Sequence, residues 1–261
     1  MRYLRLYAAF VRFSFSKAME FRVDFFFRVL MDIVFYATHL AFFAVLYGHT
    51  RELGGWDLDQ TLVFITGFFV VDALHMTVVA NNFWMLPILV NKGELDPYLL
   101  RPVSSLFFLS LREFAANSFL NLVIAVGLWI WALLRLPGPL EPGRALLYLA
   151  LLINGALLYS LMNLIALIPV FWLHSARGLA EIFYSVSSYA ERPERIFRGY
   201  LRRLLVTLLP LSLIASRPAQ LFLEGADATS VAHLALVTCA LGAFAVWFWG
   251  RALRAYSSAS S

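Results

Sequence analysis

Two pairs of ionisable side chains stand inside long apolar stretches of the sequence. Asp72 and His75 are three residues apart and Arg28 and Asp32 are four apart, so each pair shares one face of a helix. A carboxylate and an imidazole one turn apart can relay a proton or bind a polar group of a transported molecule. They can equally satisfy each other against a neighbouring helix. Arg28 and Asp32 can likewise form a simple ion pair near the membrane surface, a latch or part of a pathway lining.

The sequence contains no motif for nucleotide hydrolysis or metal catalysis. A phosphate-binding loop ends in Gly-Lys followed by Ser or Thr, but neither of the two lysines, Lys17 and Lys92, follows a glycine. The five histidines form no HExxH motif and no close cluster with the single cysteine, Cys239. We therefore expect a chain that is not an enzyme and that carries no cofactor or metal of its own.

The elements that hold these side chains are those of a membrane protein. Of the 261 residues, 61% are hydrophobic and 14% are charged, and the mean hydropathy is +0.76. About 20 apolar helical residues cross a hydrocarbon core, and no stretch is long and polar enough to form a second domain. The sequence predicts an all-α fold with six transmembrane helices, at residues 25–47, 60–80, 106–134, 145–173, 199–216 and 229–250.

Three further segments complete the predicted organisation. Residues 1–23 are predicted to form an amphipathic helix on the membrane surface, because basic and apolar residues occupy opposite faces at helical spacing. Residues 24–256 form the membrane domain, and the serine-rich tail 257–261 is predicted to be disordered. The segment 178–190 is short for a span and contains Glu181, so we interpret it as an interfacial or cytoplasmic helix.

The basic residues predict the orientation of the chain. With the N-terminus in the cytoplasm, seventeen of the 21 Lys and Arg residues fall on the inner side, Lys92 and Arg195 among them. This excess follows the positive-inside rule for an even number of spans with both termini cytoplasmic. The basic character therefore needs no nucleic acid as a partner. The four residues left on the outer side are Arg51, Arg135, Arg144 and Arg217.

The cytoplasmic loop between the second and third spans is longer than a connection requires. Its residues 81–105 include Pro87, Gly93, Pro97 and Pro102, which predict a set of short, sharply turned elements. Adjacent helices can be joined by about two to eight residues. We expect a loop of this length, with apolar and charged faces, to contact a partner.

This loop also carries a resemblance to a known family. Gly-Glu-Leu-Asp at 93–96, followed by Tyr-Leu-Leu-Arg-Pro at 98–102, resembles the signature of type-two ABC transporter permeases, in the branch whose short membrane subunits lack an ATPase domain. The basic N-terminal helix and the six predicted spans extend the resemblance over the whole chain. The second inner segment, Tyr-Ala-Glu-Arg-Pro at 189–193, departs from the Tyr-Pro pair usual in that family, so no family role is assigned to it.

The resemblance implies a permease subunit of an ATP-driven ABC exporter in the bacterial inner membrane. Two permease chains, identical or paralogous, would form the translocation path within the lipid bilayer. Two separate ATP-binding subunits would dock beneath them and hold ATP and Mg. The loop would couple these subunits to the path. The residues of this coupling element are Lys92, Gly93, Glu94, Leu95, Asp96, Tyr98 and Arg101.

The predicted path follows the first, second and fifth spans, because their ionisable residues need a polar environment. A proline near the outer end of the fifth span would let the chain bend and turn 211–224 back towards the membrane as an outer gate. The main alternative is a secondary transporter or channel that uses Asp72 and His75 as an ion or proton site. A membrane-embedded enzyme or scaffold is a third class, for which no catalytic constellation is present, and the cargo stays open. The path candidates are Arg28, Asp32, Asp72, His75 and Pro210.

Overall fold

The protein is all-α, as predicted. The computed structural model describes residues 2–20, 22–173, 176–197, 199–200 and 209–257, and these residues form helices joined by turns, with one isolated β-bridge between Leu53 and Trp56. The helices are α1 (Arg2–Glu20), α2 (Arg22–Tyr47), α3 (Leu58–His75), α4 (Asn81–Asn91), α5 (Asp96–Leu99), α6 (Ser105–Leu111), α7 (Ala116–Arg135), α8 (Pro142–Leu167), α9 (Val170–Leu173), α10 (Ala176–Ser187), α11 (Ser216–Glu224) and α12 (Ala228–Ala255).

Five described helical stretches are long and apolar enough to cross a membrane. The predicted spans 25–47, 60–80, 145–173 and 229–250 each lie within one of them. The predicted span 106–134 is interrupted, because α6 ends before the chain enters α7 through a short non-helical link. The five stretches are Phe25–Tyr47, Leu58–Asn91, Ala116–Arg135, Pro142–Leu173 and Ala228–Ala255.

The central part of the predicted span 199–216 falls outside the described residues, which omit 198 and 201–208. Its described end, from 209 onwards, holds a 3₁₀ turn at Leu211–Leu213 followed by the first residue of α11. The count of six spans therefore stays a prediction.

The longest helical stretch runs from α3 through a π-helical turn, Met76–Ala80, into α4. It begins at a capping box, in which the Asp57 carboxylate accepts from the Gln60 amide at 2.8 Å and the Gln60 side chain accepts from the Asp57 amide at 3.1 Å. Helix α4 continues through Pro87 to Asn91, so the helix extends about three turns into the predicted loop 81–105.

This stretch separates the two ends of the bundle. It has 34 residues, and at 1.5 Å per residue its ends lie about 50 Å apart. We call these ends the Trp56 end and the Lys92 end, after the residues that flank it. The Arg135 guanidinium at the end of α7 lies 2.7 Å from Asp59 and so marks the Trp56 end. Tyr256, just after α12, binds the Leu95 amide and so marks the Lys92 end.

The chain after α10 runs to the Trp56 end, which differs from one prediction. The Arg195 guanidinium lies 5.5 Å above the Trp56 ring and pairs with Glu224 at 2.5 Å, and Arg195 packs against Gly54. The structure therefore places Arg195 and Lys92 at opposite ends of the bundle, which differs from the prediction that both lie on one side. Helix α10 packs against the bundle through Phe183, whose ring lies 5.5 Å from that of Tyr159, while Ile182 is exposed, and the interfacial or cytoplasmic place of 178–190 stays a prediction.

Two apolar clusters hold the bundle together. The larger one fills the Trp56 end, and the smaller one fills the Lys92 end between α4, α8, α9 and α12. Within the larger cluster, 211–224 folds back against α8. Gly155 allows that approach, because a Cβ at this position would collide with the Ile214 carbonyl oxygen.

Helix α1 lies along the chain that joins α5 to α7. The Tyr3 hydroxyl accepts from the Ser104 amide at 3.3 Å, and the Ser14 hydroxyl accepts from the Phe114 amide at 3.1 Å. The Phe10 ring meets Phe108 edge-on at 5.2 Å. The predicted N-terminal helix is thus present and packed at the Lys92 end, while its place at a membrane surface stays a prediction.

Candidate functional site

A polar cavity lies within the bundle between α2, α3, α7, α8 and the end of α10. Its volume is about 520 Å³, and aromatic rings alternate in its wall with charged and amide groups. Such groups are costly inside a membrane and mark pathways and binding sites there. The polar residues used in the following paragraphs are Arg28, Asp32, Asp72, Asn121, Tyr159 and Glu191.

Helix α2 is tied to the other walls of this cavity by two polar contacts. The Asn121 amide of α7 donates to the Asp32 carboxylate, and Arg28 lies within electrostatic reach of the same carboxylate. Two turns further along α2, the His39 Nε2 atom lies 3.2 Å from the Glu191 carboxylate. Two of the predicted path residues, Arg28 and Asp32, therefore line the cavity, and their role in a path stays a prediction.

Asp72 and His75 have separate surroundings, so the predicted pair is not formed. Asp72 lines the cavity, and no described residue forms a hydrogen bond with its carboxylate. His75 is 1% exposed and points to α8, where its Nδ1 lies 2.9 Å from the Ser160 hydroxyl and its Nε2 lies 3.2 Å from the Asn163 amide nitrogen. Both ring nitrogens are thus engaged by α8, a contact that the local spacing of the two residues could not reveal.

The π-helical turn lies directly beside the cavity. The Thr77 carbonyl in this turn accepts from the Ala115 amide at 2.9 Å. One turn later, the Asn82 side chain donates to the Glu113 carbonyl at 2.8 Å and accepts from the Glu113 amide at 3.0 Å. The link between α6 and α7 is therefore fixed to the long helix at two points.

A second depression continues the cavity towards the Lys92 end. It has a volume of about 620 Å³, and α1 forms one of its walls through Phe10 and Lys17. The two depressions share Arg28, Asn81 and Trp84. Asn117 also lines both, so the two depressions are adjacent and lie between the middle of the bundle and α1.

The predicted coupling loop begins where α4 ends. The Glu94 amide donates to the Leu89 carbonyl at 2.9 Å and the Gly93 amide to the Val90 carbonyl at 3.1 Å, which is the hydrogen-bond pattern of a Schellman motif. Gly93 has a φ of +68°, a conformation that favours glycine. Its role in this loop is therefore to turn the chain.

Two of the predicted coupling residues hold the loop to the bundle. Leu95 is fully buried, and its amide donates to the Tyr256 hydroxyl at 3.0 Å. The Tyr98 ring packs 5.8 Å from Phe108 and lies 4.8 Å beneath the Arg112 guanidinium. These contacts hold α5, α6 and the end of α12 together.

The other charged members of the predicted set face outwards. Lys92, Glu94 and Arg101 are exposed, and the Arg101 guanidinium lies 4.8 Å above the Phe108 ring. Asp96 is half-buried at the start of α5. Leu100 is 85% exposed, and sequence reasoning passed over it because an isolated leucine gives no signal. The loop thus exposes charged groups and the Leu100 side chain, while the contacts of Leu95 and Tyr98 hold it to the bundle.

Pro210 lies away from the cavity wall. It precedes the 3₁₀ turn Leu211–Leu213, within the segment that folds back on α8. The cavity residue that sequence reasoning missed most clearly is Glu191, because its segment was assigned to the surface. Asn121 was also missed, although an amide inside an apolar run is the kind of signal that could have found it.

No cluster of three or more His, Cys, Asp or Glu side chains suited to a metal ion occurs among the described residues. Comparison with known proteins gives one finding. A protein-family model described as "ABC-2 family transporter protein" matches residues 33–260. No curated protein and no solved structure matches the chain.

Proposed function

The chain belongs to the ABC-2 transporter family, and we propose that it is the membrane-spanning permease subunit of an ATP-driven exporter whose cargo passes along the polar cavity. The observation that carries this proposal is the pair of adjacent depressions between Asp72 and α1, whose walls hold charged and amide side chains. Uncompensated polar groups at such a depth are unfavourable unless water or a ligand reaches them.

A second permease chain, identical or paralogous, would complete the path. Only 17% of the most apolar window of the span Phe25–Tyr47 is buried, against 78% for Leu58–Asn91. The outward face of α2 therefore offers an apolar surface beside the cavity. A closed two-fold pairing through this face is the simplest arrangement, because it is the commonest symmetry of protein assemblies.

Two separate ATP-binding subunits would dock on the loop between α4 and α6. Lys92, Glu94 and Arg101 supply charge for such a contact, and Leu100 supplies the apolar centre that a protein interface needs. ATP and Mg would be bound by those subunits. With the loop in the cytoplasm, both termini are cytoplasmic and the host membrane is the bacterial inner membrane.

The geometry gives no support to the alternative of an ion-driven transporter or channel. That hypothesis used Asp72 and His75 as one proton or ion site, but His75 is buried against α8 and the two side chains do not meet. Asp72 alone faces the cavity, where it can interact with a cargo.

Charge reversal on the loop tests the coupling role. We expect Glu94→Lys to abolish the stimulation of a co-purifying ATPase and to reduce transport at least tenfold, because breaking a close charge contact across an interface commonly costs about 2 kcal/mol or more. Glu52→Lys is the matched control, since Glu52 is equally exposed but lies at the Trp56 end. Failure to recover any ATPase with the wild-type chain from mild detergent, or full coupling by Glu94→Lys, would contradict the proposal.

Neutralising the cavity carboxylate tests the path. We expect Asp72→Asn to fold and bind the ATPase normally but to change transport at least tenfold, because the carboxylate faces the cavity. Asp59→Asn serves as the control on the same helix, since it removes only an exposed ion pair with Arg135. Equal transport by the two variants would rule out a path past Asp72.

A further inference from the structure

The last turns of α12 have two different faces. On one face, Ala245, Trp249 and Ala252 are buried in the apolar cluster of the Lys92 end, and the Trp249 indole N–H donates to the Ser105 hydroxyl at 3.1 Å. On the other face, Trp247 is 56% exposed and Arg251 is fully open to its surroundings. The helix therefore presents an aromatic and basic surface away from the bundle.

This outward face forms a groove. It has a volume of about 500 Å³ and is lined by Val246, Trp247, Gly250, Arg251 and Arg254. Gly250 faces open space, because no atom lies within 4 Å of the position that its Cβ would take. The Arg251 guanidinium lies 5.6 Å above the Trp247 ring, which holds it at the edge of the groove.

The charge of the groove is not balanced by the part of the chain that the structure describes. Its lining contains two arginines and no acidic residue, and neither Arg251 nor Arg254 forms an ion pair with a described carboxylate. Each guanidinium thus retains donors for an anion, and two donors in a fork suit phosphate oxygens.

The depth of the groove matches a membrane interface. Tyr256 marks the Lys92 end. At 1.5 Å per residue, Arg254 lies about 3 Å and Arg251 about 8 Å from Tyr256, in the direction of the middle of α12. The headgroup region on each side of a bilayer is about 5–8 Å thick. Trp247 lies a further turn inside, at the level where tryptophan is enriched in membrane proteins.

We propose that the groove of Val246, Trp247, Gly250, Arg251 and Arg254 binds the phosphate headgroup of an anionic phospholipid in the leaflet at the Lys92 end. The arginines hold the phosphate, and Val246 and Trp247 contact the first acyl segments. Charge complementarity favours a lipid over a second copy of the chain, because a two-fold copy would bring the arginines of both chains together. The proposal needs only the membrane location of the chain, so it stands apart from the transport role.

Native mass spectrometry of the full-length protein in detergent, titrated with phosphatidylglycerol or phosphatidylcholine, tests this site. We expect phosphatidylglycerol to bind more tightly, and Arg251→Gln with Arg254→Gln to weaken that binding about 25-fold, from about fivefold for each arginine near the surface. Arg144→Gln is the matched control, since Arg144 is exposed at the Trp56 end and pairs with Glu141.

Four results would overturn the proposal. They are equal binding of the two lipids, equal losses in the double variant and the control, displacement of the lipid by millimolar inorganic phosphate, and conversion of a dimer to a monomer in the double variant. The last two would assign the groove to a free anion or to a second copy of the chain. Arg251→Lys with Arg254→Lys should retain most of the lipid binding, which separates loss of charge from loss of folding.

Discussion

Tyr256→Phe should release the loop from the bundle while the helices stay folded. The Tyr256 hydroxyl accepts from the Leu95 amide at 3.0 Å, and Leu95 is fully buried. Burial raises the pKa of the Tyr256 hydroxyl above its ordinary value, so the group is neutral throughout the physiological pH range. Phenylalanine keeps the ring beside Phe171, 6.4 Å away, and removes only the oxygen.

The size of the effect depends on the Leu95 amide, which loses its hydrogen-bond acceptor in the Tyr256→Phe variant. A buried donor without a partner costs about 1–3 kcal/mol. At about 2 kcal/mol the equilibrium for local opening of the loop rises about 30-fold, since each 1.4 kcal/mol is a factor of ten. Amide hydrogen exchange of the peptide that contains Leu95 should accelerate by that factor, and ATPase stimulation should fall.

Tyr3→Phe provides a matched comparison. The Tyr3 hydroxyl also accepts from a loop amide, that of Ser104, but at 3.3 Å and at an exposed position. Water can replace it there, so we expect exchange near Ser104 to change by no more than about twofold. If both variants accelerated exchange equally, or if Tyr256→Phe left it unchanged, the argument from burial would be refuted.

Two further predictions concern the course of the chain. In a Cys239→Ser background, cysteines placed at Lys92 and Arg195 should be labelled by an impermeant thiol reagent from opposite sides of the membrane, and labelling from one side would contradict the fold. Gly155→Ala should destabilise the protein by about 1–3 kcal/mol, since the new methyl group meets a backbone carbonyl, whereas Gly127→Ala meets nothing within 4 Å and should leave the thermal unfolding temperature unchanged or slightly raised. Equal unfolding temperatures for the two alanine variants would contradict the predicted close approach.

The sequence predicts the ends of a helix best where polar residues border an apolar stretch on both sides. The spans 25–47 and 229–250 end within a few residues of α2 and α12, because polar or charged residues stand at the borders of each stretch. The turn at Gly93 was also predictable, since glycine next to a run of charged residues marks a helix end.

Sequence patterns do not reveal hydrogen bonds between polar groups that are far apart in the chain. The pattern of 178–190 predicts an interfacial or cytoplasmic helix and gives no sign that Ser187 bonds to Tyr159, or that the neighbouring Glu191 bonds to His39. Those partners come from α8 and α2, so no local pattern could show that the polar atoms are compatible with burial. Asp72 and His75 do not meet for the same reason, because partners on α8 form hydrogen bonds with the His75 ring.

A continuous set of contacts leads from the loop to the wall of the cavity. The loop starts at the end of the long helix, and the Asn82 side chain on that helix holds both backbone groups of Glu113. Glu113 leads directly into α7, so a displacement of the long helix moves the start of α7 with it. Helix α7 carries Asn121, whose amide holds the Asp32 carboxylate of α2. Under the proposed function, a subunit that docks on the loop would therefore reach α2, the least buried wall of the cavity, through α7.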